Sequence, residues 1–145
     1  MYKSIWMPVF VMLLATTLSA QSGNTTDQPY IVENYYRIKW GHQDEFLELY
    51  KKNHYPIVKK VQELGYITKV EMEKPPFHSQ EADRWDFRIR FVFKDLESAY
   101  NMAIWKEISQ SIYPDQEQLK QEEQKRFELL LAHWDVVLTA FSLEE

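Results

Sequence analysis

Two polar side chains stand out for where they fall. His54 lies in YKKNHYPIVKK, Tyr50–Lys60, two residues before a proline and on what otherwise reads as one buried helical face. An imidazole titrates near neutrality, so in an apolar pocket it can take up or return a proton. Asn34 lies in YIVENYYRIKW, Tyr30–Trp40, at a position where strand alternation calls for an apolar residue. A buried amide must find partners, so Asn34 either bonds a neighbour such as His54 or is kept for a ligand. The chemistry on offer is a base, His54, and a polarising amide, Asn34. Tyr36, Tyr50, Trp85 and Phe87 would form the aromatic wall of their pocket. Each has a structural reading beside it: His54 bonded to a carbonyl or a tyrosine, Trp85 in the core, and the pocket filled by side chains.

Other chemistries find little footing. His42, His54, His78 and His133 share no ligand spacing, and there is no cysteine, so neither a metal nor a disulfide is expected. With three glycines in the chain, a phosphate cradle or dinucleotide loop has little to be built from, and no G-x-S-x-G elbow occurs. No cofactor is expected. The formal net charge is −5, which argues against nucleic acid and anionic membrane surfaces, both bound through clustered Lys and Arg.

The first segment, MYKSIWMPVFVMLLATTLSA, has an early Lys3, an apolar run from Ile5 to Leu14, and Leu18-Ser19-Ala20 before Gln21. It reads as a signal peptide, 1–20, with a retained anchor as the alternative. The run is too short for a comfortable membrane span, which needs ~20 apolar residues. An exported chain, periplasmic or secreted and without a stable anchor after cleavage, is the expectation. Residues 21–29 are polar and patternless and read as a flexible leader containing the sequon Asn24-Thr25-Thr26. Residues 30–145 make one domain.

Seven elements must position the candidate residues. Tyr30–Trp40 alternates as a strand, with Val32, Asn34, Tyr36, Ile38 and Trp40 on one face. Phe46, Leu49, Tyr50, His54, Ile57, Val61 and Leu64 recur at helical spacing until Gly65. Pro56 removes the N–H that would bond the Lys52 carbonyl, so this helix is expected to kink beside His54 and open space against the sheet. Tyr66–Glu73 and Arg84–Lys94 read as strands, the second with Trp85, Phe87, Ile89, Phe91 and Phe93 on one side. Asp95 caps a helix running to Tyr113. Asp115–Ala132 reads as a further helix, with Glu122 and Arg126 in the favourable acid-first spacing, and Trp134–Leu143 as the last strand.

The order is β-α-β-β-α-(α)-β, an α+β ferredoxin-like βαββαβ sandwich with an extra helix before the last strand. Its second sheet face collects Glu33, Tyr35, Arg37, Arg88 and Arg90, with Val92, Val137, Thr139 and Phe141 adding apolar surface. It reads either as solvated or as a self-complementary interface in which acids on one sheet meet arginines on a copy.

The element order, the aromatic first strand, GHQDEF (Gly41–Phe46) and FVFKDLESAY (Phe91–Tyr100) together resemble the dimeric α/β-barrel superfamily, over Tyr30 to about Leu143. The resemblance implies a homodimer whose sheets close into a barrel through Tyr35, Arg37, Arg88 and Arg90, with any pocket between a sheet and its own helices. Cofactor-independent monooxygenases and haem-degrading members use an Asn, a Trp and a His around that pocket. Asn34 and Trp85 match the first two. The second helix carries Trp105 where haem-degrading members carry histidine, so haem chemistry is not implied. The expected function is binding of a small aromatic or apolar molecule. The alternatives are a cofactor-independent monooxygenase or isomerase with His54 as base, and a non-catalytic interaction module.

Overall fold

The computed structural model describes residues 28–77, 79–139 and 143. The expected signal peptide, the sequon, His78 and Phe141 lie outside the described residues, as does all but the end of the leader.

Four strands, β1 (Tyr30–Ile38), β2 (Ile67–Glu73), β3 (Phe87–Phe93) and β4 (Leu130–Leu138), form one antiparallel sheet in the order β2-β3-β1-β4. Between them run α1 (Gln43–Leu49), a π-helical turn (Tyr50–His54), α2 (Tyr55–Glu63), α3 (Leu96–Tyr100), α4 (Met102–Ile112) and α5 (Gln116–Glu128). This is the expected ferredoxin-like order with one added helix. Helical Phe46, Tyr50, Val58 and Val61 pack against strand residues Tyr36, Ile38, Ile89 and Phe91 to make the core.

Pro56 is accommodated more gently than a kink. Helical geometry continues through Leu49 and Tyr55, and the extra residue of the π turn absorbs the missing N–H. The orphaned Lys52 carbonyl accepts a hydrogen bond from the Tyr113 hydroxyl, beyond the end of α4. The turn also rotates Asn53 inward, to 2% exposure, while Leu64 of the expected apolar stripe is 49% exposed.

Several boundaries differ from the sequence reading. Asp95 does cap a helix, accepting from the Ser98 N–H, but Asn101 caps a second one through the Ile104 N–H, so the expected single helix is two. The last strand begins at Leu130, not Trp134, because the Leu129 carbonyl takes the Lys39 N–H and Leu130 pairs with Ile38. Register then puts Val137 opposite Val32 on the helix-covered face, leaving Trp134 and Val136 on the open one. Glu122 bonds Lys52 and Asn53 rather than Arg126, which pairs with Glu123.

Candidate functional site

A cavity of about 420 Å³ opens between the helix-covered sheet face and the helical layer, at the end of the sheet where β1 begins and β3 ends. β1 brings Asn34 to it, the π turn brings His54, α4 brings Trp105, and β4 brings Asp135. Asn34 sits on the ladder between Ile89 and Asp135, so the amide and the carboxylate are cross-strand neighbours. Phe91 and Phe93 add apolar surface, and the hydroxyls of Tyr30 and Tyr100 meet at 3.2 Å at its rim.

The His54 ring lies 5.0 Å from the Tyr50 ring and 6.4 Å, within 20° of parallel, from that of Trp105. Burial, aided by the Arg126 charge and opposed by Glu123, holds its pKa down to about 4, so at neutral pH it is an unprotonated imidazole. Neither His54 nor the Asn34 amide makes a side-chain hydrogen bond to another described residue. A site with these groups can bind a mainly apolar molecule by its body and orient it through two uncommitted polar groups.

At the other end of the sheet the space is filled. Tyr36 stacks on His133, with ring centres 4.4 Å apart, and packs against Phe46 and Phe87. The Arg126 guanidinium lies 5.5 Å from the Phe46 ring and 5.6 Å from that of Tyr50, fixed by Glu123 at 2.6 Å. Burial pushes the Tyr36 hydroxyl up to about 12 and raises Tyr50 well above its ordinary value, so both phenols stay protonated at neutral pH.

The expected pocket is therefore divided. Asn34 and His54 share the cavity; Tyr36 belongs to the core. Tyr50 touches His54 from the core, and together with Phe87 it borders a separate hollow of about 400 Å³ near the end of β2. Trp85 is corrected outright: it packs edge-on against Tyr35, at 5.7 Å, on the open sheet face. The chain bends before β3, so alternation read back from Phe87 does not reach Trp85. Sequence reasoning gave Asp135 and Trp105 no place in the pocket. A β4 register started at Leu130 would have put His133, Asp135 and Val137 on one face, and Trp105 stood at the position compared with the haem-degrading histidine.

On the open face, Tyr35 stacks on Trp134 at 5.2 Å and donates to Glu33, which is 7% exposed. Arg88 reaches Glu33 at 3.2 Å and also pairs with Glu73; Arg90 lies 3.9 Å from Glu33 and 3.7 Å from Glu71. These acids and arginines already pair within one sheet. Arg37 instead donates to the Glu81 carbonyl at 3.0 Å.

The added helix α5 lines no part of the cavity. Glu122, bonded by Lys52, Asn53 and Gln118, has its pKa lowered to about 2, and Lys125 reaches Glu45 at 2.7 Å. α5 therefore clamps α1 and the π turn, fixing where His54 stands. Among the described residues no cluster of His, Cys, Asp and Glu could hold a metal ion.

No protein-family model matches the chain, and no curated protein does. Solved structures do. A dimeric ferredoxin-like protein from an uncultured marine organism superposes with a TM-score of 0.54 at 9% identity, covering 84% of this chain and 97% of that one. A hypothetical protein of Arabidopsis thaliana gives 0.54 at 11% identity, over 83% and 95%. A dimeric ferredoxin-like protein of unknown function from a Jannaschia species gives 0.50 at 9% identity, over 78% and 100%. At these identities the likeness is one of fold, and it agrees with the strand order in one conclusion: the chain has a ferredoxin-like fold.

Proposed function

We propose that this protein binds a small, largely apolar or aromatic molecule in the cavity between β1, β4, the π turn and α4, with Asn34 and His54 as its polar anchors. One observation carries the reading. Two polar side chains from elements distant in sequence open onto one apolar cavity, and neither is bonded to another described residue. Protein purified from its own host, weighed by native and denaturing mass spectrometry, is expected to retain a small molecule that Asn34→Leu releases. Wild-type protein that retains nothing, and whose Trp105 indole resonance no aromatic probe shifts, would overturn the reading.

A second reading makes His54 the base of a cofactor-independent oxygenase or isomerase. Its support is that burial keeps the imidazole free to accept a proton at neutral pH, although so low a pKa makes it a weak base. Once a substrate is in hand, His54→Ala separates the two: loss of turnover with binding retained supports catalysis.

We infer a homodimer formed through the open face. Two proteins of the same fold are described as dimeric, and Tyr35, Trp85, Trp134 and Val136 give that face an apolar patch beside its paired charges. Trp134→Glu is expected to give monomers in sedimentation. The sequence of 1–20 supports export, periplasmic or secreted, with cleavage after Ala20; the mass of the exported N-terminus tests it.

A further inference from the structure

Resting on that binding reading, we propose that the cavity selects a small organic cation, a protonated amine on an apolar or aromatic frame, over a carboxylate. The charge inventory of its wall carries this. Among the described residues lining it, Asp135 is the one carboxylate, and there is no Lys or Arg. The Arg126 guanidinium, whose charge is felt at His54, does not line the cavity and pairs through Nη2 with Glu123. Lys51 and Lys74 border the other hollow, near the end of β2.

Asp135 is also uncommitted. Its carboxylate lies 3.6 Å from His133 Nε2, too long for a hydrogen bond. The carboxylate stands across the ladder from Asn34, whose amide oxygen can accept from the same ammonium group. Unprotonated imidazole nitrogen at His54 offers another acceptor without adding positive charge. Trp105, Phe91 and Phe93 add aromatic rings to the lining, whose faces attract cations through their quadrupoles. An ammonium group therefore meets a carboxylate, two neutral acceptors and aromatic rings. A carboxylate meets Asp135 and no compensating cation.

The test uses three probes of nearly one shape, 2-phenylethylamine, 3-phenylpropionate and 2-phenylethanol, titrated into the full isotope-labelled protein and followed by NMR. The amine is expected to bind tightest, on the order of tenfold over the carboxylate given the solvent exposure of Asp135, and to shift the Asn34 amide and Trp105 indole resonances. Asp135→Asn is expected to bring the amine down to within about twofold of the alcohol, with Asp135→Ser as a second variant. If 3-phenylpropionate binds as tightly as the amine, or the preference survives both substitutions, the cation assignment falls while the pocket stands. If no probe moves those two resonances, the pocket reading falls with it.

Discussion

Asn34 and Tyr36 are two residues apart on β1 and face the same side of the sheet, yet one borders open space and the other is sealed. The difference lies in what the helical layer sends down to meet them. Over Tyr36, α1 delivers Phe46, the π turn delivers Tyr50, and α5 lays Arg126 across both rings. Over Asn34, the layer comes from short α3 and the start of α4, broken at Asn101, with Ala99 where a larger side chain would fill the gap. The sheet thus sets which residues face inward; the helices decide whether they face a core or a cavity.

The sharpest way to break this comparison is to empty the filled end. Phe46 is 0% exposed, and Phe46→Ala is expected to cost about 3–5 kcal/mol in urea unfolding, the usual toll of a large buried truncation. Trp105→Ala, at the cavity wall, should cost far less, since one side of its ring lacks packing to lose. Equal costs would mean that the two ends are packed alike.

Acid gives the next largest effect. With its folded pKa near 4 against an ordinary 6.5, His54 binds its proton more readily in the unfolded chain. Its contribution is complete above pH 6.5 and is lost as the pH falls toward 4, by about 3 kcal/mol in all, taking 1.36 kcal/mol per pKa unit. Glu122 acts in a lower window: its pKa is depressed to about 2, so its stabilisation is lost as the pH falls below the ordinary carboxylate value. Denaturant midpoints measured from pH 7 to 4 should therefore decline in the wild type and flatten in His54→Phe. A decline that persists in the variant would assign it to other groups.

Much of the fold was legible because the central strands alternate cleanly. Residues 30–38 and 87–93 declare both sheet faces, and the arrangement of elements follows from them. What misled was the run-up to a strand and the run-out of a helix. Trp85 continues the β3 pattern in sequence, but the bend before Phe87 breaks the phase. Leu130, Leu131 and Ala132 read as a helix end, and only pairing with β1, which no local pattern reports, makes them strand. The site suffered most, because both errors moved residues across the sheet: Trp85 out of the pocket, Asp135 into it. The effect of Pro56 was half legible. Loss of the Lys52 partner followed from chemistry, while its replacement by a hydroxyl 61 residues away did not.

That replacement has a modest, measurable worth. Tyr113→Phe removes the hydroxyl that caps the Lys52 carbonyl and is expected to cost about 1 kcal/mol, the ordinary net value of one hydrogen bond. In a Pro56→Ala background, position 56 regains an N–H that can serve the same carbonyl. The cost of Tyr113→Phe should shrink there, and the interaction energy between the two substitutions measures how far the π turn depends on the tyrosine. Strict additivity would mean that the turn holds itself.

The smallest effect on stability falls at Asn34, and it is the most telling for function. Its amide occupies an inward strand position without a described side-chain partner, so Asn34→Leu removes a polar group that folding must partly desolvate and adds apolar surface on the cavity side. Stability in urea is expected to stay level or rise by up to about 1 kcal/mol. Affinity for the retained molecule should fall tenfold or more, because an oriented hydrogen bond is lost and the leucine intrudes on the space. A core residue shows the opposite pairing, costing stability and leaving affinity alone, as Phe46→Ala should below its unfolding temperature. A large loss of stability in Asn34→Leu would place the amide in the structural framework with Tyr36, and the contrast between the two ends of β1 would then be one of packing alone.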